Sequence, residues 1–237
     1  MPAGRLRVRA LVQVLACSGI PSQLFVAQLL ALAGLSPLLD DGRLNAVWVF
    51  ALALGDTLLL VGLAWALLVV NGESPRAVFL GPVAPGREAL FGAVLIVPLV
   101  LMAALVILGL RAYWPALHNV PQNPLAGLLA SPRDAWLFLV VVLLAGGVRE
   151  EIQRAFLLTR FERHLGGATT GLLVTSVAFG AGHALQGYDA AVATGLLGLA
   201  WGWIYLRRRS AVAPVVSHAG FNTLEIVRFL TVGAASV

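Results

Sequence analysis

Not one lysine occurs among the 237 residues, cysteine occurs once, and charged side chains of every kind make up only 11% of the chain. An average soluble domain has roughly a quarter of its residues charged. With 59% hydrophobic residues and a mean hydropathy of +0.91, a water-soluble globule is excluded. The lone cysteine, Cys17, rules out an internal disulfide and any multi-cysteine metal site, and reads as a small apolar helix residue. All 16 basic residues are arginines, dispersed along the chain. The net charge of +5 is therefore not the clustered footprint of a nucleic-acid binder, and no nucleic-acid partner is expected. Internal repeats and low-complexity tracts are also missing.

What is present is apolar sequence in membrane-sized pieces. Runs at about 9–35, 45–70, 89–110, 135–158, 168–186, 190–206 and 211–231 each suit a crossing of ~20 residues, predicting an all-α, polytopic membrane bundle of about seven transmembrane helices. Residues 1–237 then form a single integral membrane domain with no room for a separate soluble one. Arg5, Arg7 and Arg9 before an apolar run resemble a signal peptide, and Val14 to Cys17 a lipoprotein cleavage box. The run before Cys17 is short and holds Gln13, however, and hydrophobicity resumes from Leu24 to Leu39. A first membrane helix bent near Gly19-Ile20-Pro21 is the better reading. Pro75, Pro82, Pro85, Pro115, Pro121, Pro124 and Pro132 punctuate the two longest connections as interfacial loops.

Seven crossings from a cytoplasmic N-terminus put Arg5, Arg7, Arg9, Arg76, Arg87, Arg160, Arg163 and Arg207 to Arg209 inside and the C-terminus outside, as the positive-inside rule favours. Arg43, Arg111, Arg133 and Arg228 fall outside. Trp48, Trp114, Trp136, Trp201 and Trp203 lie toward span ends, where headgroup contact or core packing accounts for them equally.

An ionisable side chain in a span costs ~2.5–3.5 kcal/mol on insertion scales, which makes each a functional candidate. Asp56, Arg149, Glu150, Glu151, Arg154, His183, His218 and Glu225 qualify. Four of them crowd into the fourth span as Arg149-Glu150-Glu151-Ile152-Gln153-Arg154. On a helix, Arg154 can neutralise either glutamate, at i+4 or i+3, while the two glutamates point about 100° apart. The plainer reading is a charge cluster where the helix leaves the bilayer. The fifth span carries Phe179-x-x-x-His183 and the seventh His218-x-x-x-Asn222, each pair on one helix face. Gly180, Gly182 and Gly220 beside them are expected to let helices approach closely. A buried Glu that takes a proton from water, an imidazole that holds it, and a His/Asn pair that donates to an oxyanion are the parts of a hydrolase.

The ordered set Glu150-Glu151 with Arg154, Phe179 with His183, and His218 with Asn222 resembles the CAAX protease and bacteriocin-processing family of intramembrane proteases. Its eukaryotic members are type II CAAX prenyl endopeptidases. The resemblance covers about residues 135–231, the expected catalytic core. It implies an endopeptidase that cleaves near the C-terminus of a membrane-associated protein or peptide: Glu150 activates water, His183 orients it, His218 and Asn222 stabilise the oxyanion, and Glu151 and Arg154 set the local charge, with Phe179 in support. One departure stands out. The family has three residues between its second Glu and the Arg, and here only Ile152 and Gln153 intervene, so the base is either Glu150 or Glu151. The resemblance also implies a divalent metal held by Glu and His, zinc by donor type. The missing His-Glu-x-x-His helix and missing cysteine ligands favour glutamate-activated water, with no cofactor firmly implied and metal as the alternative. A lysine-free chain points to a prokaryotic plasma membrane, where peptides or C-terminal sorting segments are expected substrates.

Competing chemistries fit less well. An aspartyl pair would need Asp56 and Asp189 to meet, yet the first is expected near midplane and the second in an outer loop. Asp56 reads as a buried acid partnered by an Arg or protonated, and Glu225 with Arg228 as a local pair. A serine motif is only hinted at by Cys17-Ser18-Gly19. A proton- or cation-coupled transporter is disfavoured by the missing repeat symmetry. A catalytically silent scaffold or immunity protein is the third class.

Overall fold

A computed structural model describes residues 3–121, 123–129 and 132–232. Among them the chain is helical throughout, apart from one isolated antiparallel bridge between Leu38 and Leu44. The helices are α1 (Ala3–Ala16), α2 (Ile20–Leu32), α3 (Ala46–Val70), the short α4 (Pro75–Phe79), α5 (Pro85–Tyr113), α6 (Pro132–Val141), α7 (Glu150–His164), α8 (Gly167–Gly182), α9 (Tyr188–Arg208) and α10 (Val212–Val232). A π-helical segment, Val142–Arg149, joins α6 to α7 without a break.

Every apolar stretch read from the sequence is helical, but the number that qualify as crossings is smaller than expected. Among the described residues four helices are long and apolar enough by length and composition: Gly4–Leu32, Ala46–Val70, Pro85–Tyr113 and Tyr188–Arg208, with Gly167–Gly182 apolar but shorter. The expected bend in the first is a real interruption at Cys17 to Gly19, where Gly19 takes φ 90. The chain's last residues, 233–237, and with them the expected position of the C-terminus, lie outside the described residues.

The prolines do more than punctuate loops. Pro75, Pro85, Pro115, Pro124 and Pro132 each open a helix or 3-10 turn. At that position the missing N–H would have had no partner and the ring already holds φ near its helical value. Asn45 and Ser74 cap α3 and α4 by accepting backbone N–H bonds.

α7 sits at the centre, packed by α1, α3, α4, α8 and α9. Ala155, Phe156 and Leu158 are wholly buried there with Cys17, Ala64, Leu68, Phe79 and Tyr205. A second core joins Leu99 and Ala103 of α5 to Leu197, Trp201 and Ile204 of α9 and Ala213 of α10. Ion pairs close both ends of the bundle. At one, Glu73 holds Arg160 and Arg163, Glu162 holds Arg209, and Glu88 holds Arg208. At the other, Asp189 accepts from Arg111 at 3.0 Å and meets His118 at 2.9 Å. Asp189 is thus a buried residue in the first turn of α9 and not the outer-loop residue expected, because Arg111 at the end of α5 draws it into the bundle.

Candidate active site

The site forms where the start of α7 meets the facing sides of α8, α9 and α10. Two glycines make that meeting close. A Cβ on Gly146 would lie 2.5 Å from Asn222 Nδ2, and one on Gly147 would lie 2.9 Å from Ala219 Cβ, so the π segment can press its backbone against α10. π turns are rare and frequently lie at functional sites. In the sequence the segment is an apolar stretch of ordinary helix length with a Gly-Gly pair one residue before a charged run, and nothing in that pattern signals the change of turn.

The glutamates have different surroundings. Glu151 is sealed in the interior, its side chain 1% exposed. Its Oε1 accepts from Arg154, the i+3 partner, and from His218 Nδ1 at 2.8 Å. Glu150 keeps 21% of its side-chain surface, and its Oε2 lies 3.7 Å from His218 Nε2, too far for a hydrogen bond. Arg154 therefore neutralises Glu151 and leaves Glu150 as the carboxylate with free lone pairs that water can reach. Arg154 and Glu151 are both buried inside the bundle.

Both imidazoles have one nitrogen fixed. His183, the residue capping α8, has Nδ1 2.8 Å from the Phe179 carbonyl. A carbonyl can only accept, so Nδ1 carries the proton and Nε2 is left with its lone pair outward. In the same way an ionised Glu151 calls for a proton on Nδ1 of His218, which turns Nε2 toward Glu150 and Gly146. Phe179 connects the two histidines, its ring 4.8 Å from His183 and 6.1 Å from His218, with the Arg154 guanidinium 4.6 Å above it. Asn222, one turn beyond His218, donates from Nδ2 to the Val142 carbonyl at 3.4 Å and keeps a second N–H for another acceptor. Glu150, Glu151, Arg154, Phe179, His218 and Asn222 thus form one contiguous cluster, which His183 joins through Phe179.

Trp201 is the residue the sequence concealed. It was grouped with span-end tryptophans, yet it is 1% exposed, stacked on the His218 ring at 3.8 Å, with its indole N–H on Ser217 Oγ at 3.1 Å. Trp203, two positions on, faces outward. Gly198 and Gly202 flank Trp201 and open the space that Phe179 and the Arg154 stem fill. Gly180 and Gly220 do allow close helix approach, as expected, against Gly195 and Ile96; Gly182 does not, having nothing near it.

Asp56 and Asp189 belong to separate ion pairs, with Arg149 and with Arg111, so they form no aspartyl dyad. Glu225 pairs with Arg228 at 2.9 Å, the local pair expected. Among the described residues no three His, Cys, Asp or Glu side chains converge to hold a metal ion. His218 Nδ1 and Glu151 Oε1 are bound to each other, and the donors of the kind zinc takes that remain open, Glu150, His183 Nε2 and His218 Nε2, do not converge on one point in this arrangement.

Comparison with known proteins gives a match for this part of the molecule. Residues 132–224 fit the family model of the Type II CAAX prenyl endopeptidase Rce1-like proteins. No curated protein and no solved structure matches the chain. The matched segment starts at the first residue of α6 and runs past Asn222, so it contains all three motifs. Over these residues the chain is similar to the type II CAAX prenyl endopeptidases, the family its ordered motifs resemble.

Proposed function

We propose that the protein is an intramembrane endopeptidase that hydrolyses a peptide bond near the C-terminus of a membrane-associated protein or peptide, with Glu150 as the general base. The observation that carries this reading is the division of labour between adjacent glutamates. Glu151 is spent on Arg154 and His218, whereas Glu150 is reachable by water and faces the same imidazole. Glu150 takes a proton from a water held by His183 Nε2, and the hydroxide attacks the scissile carbonyl carbon. The developing oxyanion accepts from Asn222 Nδ2 and from Nε2–H of His218. That ring enters the cycle doubly protonated, with Nδ1–H on Glu151 as a buried carboxylate stabilises imidazolium in a triad, and keeps both protons throughout. Glu150 then passes its proton to the leaving nitrogen as the C–N bond breaks, and atoms and charge balance. No metal ion is used.

The same reading carries seven crossings with a cytoplasmic N-terminus in a prokaryotic plasma membrane. It is supported by the contacts among arginines assigned to one side: Arg160, Arg163, Arg208 and Arg209 are all held at one end of the bundle, and Arg111 at the other. Peptides or C-terminal segments of surface proteins are the expected substrates.

The test is mass spectrometry of membrane proteins in cells carrying the wild-type chain or Glu150→Gln. A defined set of proteins should accumulate uncut with the variant. A peptide spanning the affected bond should then be cleaved by the purified detergent-solubilised protein, with activity kept after prolonged chelation. Equal protein sets in both cells sink the protease reading. Loss of cleavage on chelation, restored by zinc, sinks only the metal-free mechanism.

A further inference from the structure

The residue immediately before Glu150 is tied to the opposite side of the bundle. Arg149, last in the π segment, reaches α3 with its guanidinium, where Nη2 lies 2.6 Å from Asp56 Oδ2. Both residues are buried, at 8% and 3% exposure. The interruption between α1 and α2 makes the space: a Cβ on Gly19 would lie 2.5 Å from Arg149 Nη2. Around it, Gln23 Nε2 on α2 is 3.5 Å from Asp56 Oδ2, and Gln153 Nε2 donates to the Cys17 carbonyl at 2.8 Å.

This pair is poorly built as a source of stability. Asp56 Oδ1, Arg149 Nε and Arg149 Nη2 have no hydrogen-bond partner among the described residues. A buried ion pair with unmet hydrogen bonds is commonly no better than apolar residues of the same volume. Its geometry offers a different use. Residue 149 is clamped to α3 on one side, and residue 151 is clamped to Arg154 and His218 on the other. Glu150 sits between two neighbours anchored in opposing directions, which leaves its stretch of backbone little freedom to rotate about the helix axis. The wider turn of the π segment sits directly upstream, where such rotation would otherwise be easiest.

We propose that Asp56 and Arg149 are positioning residues: their ion pair fixes the rotation of the first turn of α7 and thereby aims the Glu150 carboxylate at the water between His183 and His218. The inference rests on Glu150 being the base. It gives the N-terminal helices, through α3 and the α1–α2 break, a part in the reaction that lies outside residues 132–224.

The test uses the full chain in detergent and the peptide whose bond stays uncut in Glu150→Gln cells. Replacing both partners by apolar residues, Asp56→Leu with Arg149→Met, removes the ion pair without stranding a charge. This double variant should keep or raise the unfolding midpoint while kcat falls about a hundredfold, as for a slightly misplaced catalytic group, with KM within about threefold. Arg149→Lys keeps the charge but loses the planar fork. It should lower kcat about tenfold, and because it strands no charge it stays informative should the double variant fail to fold. Wild-type kcat in a folded double variant, or in Arg149→Lys, overturns the positioning role and leaves the pair as charge neutralisation. If Glu150→Gln itself cleaves at the wild-type rate, the base assignment falls and the inference with it. A dead Glu150→Gln beside a fully active double variant overturns the inference alone.

Discussion

α5 and α9 cross the same bundle and are built for different neighbours. The most apolar window of α5 has a hydropathy of 3.0 with 11% of its residues buried inside the molecule, against 1.3 and 44% for α9. Leu90, Val94, Val97, Leu101, Leu105 and Leu108 of α5 point outward, whereas α9 turns Leu197, Trp201, Ile204 and Tyr205 inward. A helix that faces lipid can be apolar all round, because lipid tails ask nothing specific of it. A helix beside the reacting groups must supply small residues, aromatic stacking and hydrogen bonds, and loses hydropathy in doing so. Between these two helices, low hydropathy goes with nearness to the chemistry: α9 carries Trp201, stacked on His218, while α5 carries none of the clustered polar groups.

The contrast is broken most forcefully at the polar cluster. Glu150→Gln and His218→Ala should each lower kcat/KM by about a thousandfold or more, in the upper part of the range for a positioned acid or base, and the double variant by little more than the worse single one. Cleavage rates of the purified variants on one peptide decide it. Losses that simply multiply would mean the two act in separate steps. Asn222→Ala should cost less, about a hundredfold, for one missing oxyanion donor. The loss should fall mainly on kcat; a change confined to KM would assign Asn222 to ground-state binding.

The same contrast is sharpened by matched apolar truncations on the two helices. Trp201→Leu removes the ring stacked on His218 and should both destabilise the fold by several kcal/mol, in the way of large-to-small core changes, and reduce kcat. Leu105→Ala on the lipid face of α5 should change the unfolding midpoint and turnover little, within the ~0.5 kcal/mol typical of surface positions. Equal losses in the two variants would show that α5 is covered by something other than lipid.

How much of this was legible follows from which signals are local. Apolar runs fixed the place of every long helix, and ionisable residues in those runs pointed to Glu150, Glu151, His183 and His218, because burial of charge is costly wherever it occurs. The π segment was not legible, since a change of turn within Val142–Arg149 leaves the apolar pattern intact. Nor was the choice between the glutamates. Spacing allowed Arg154 to reach either one, and only His218, brought in from a distant part of the chain, gives Glu151 its second partner, while Glu150 has no hydrogen bond among the described residues. Trp201 and Trp203 looked alike in sequence, and tertiary packing alone sent one inward and the other out. The tie from Asp56 to Arg149 was expected only as some arginine, because α3 and α7 are joined by no local pattern.

The smallest effect belongs to the arginine-rich end of the bundle, past the last apolar residues of α7. Arg209 donates to both oxygens of Glu162, at 2.5 and 2.7 Å, and this bonding holds the Glu162 carboxyl below its ordinary value, with the nearby charges of Arg209 and Arg163 acting in the same direction against a modest cost of burial. Arg209 occupies a left-handed backbone position, φ 56, at the end of α9, so the pair also pins a turn that a non-glycine residue enters at a cost. A depressed carboxyl stabilises the folded state above the unfolded pKa of about 4.3, and the contribution is lost as pH falls through the lower folded value. Since the two side chains are 49% and 31% exposed, solvent screening limits the worth of the pair to about 0–1 kcal/mol. Unfolding midpoints of the wild-type chain and Glu162→Gln in detergent should differ slightly at pH 7 and converge below about pH 4. A difference that persists or widens in acid would mean that Glu162 acts through packing, and that this end of the bundle is held by shape and not by charge.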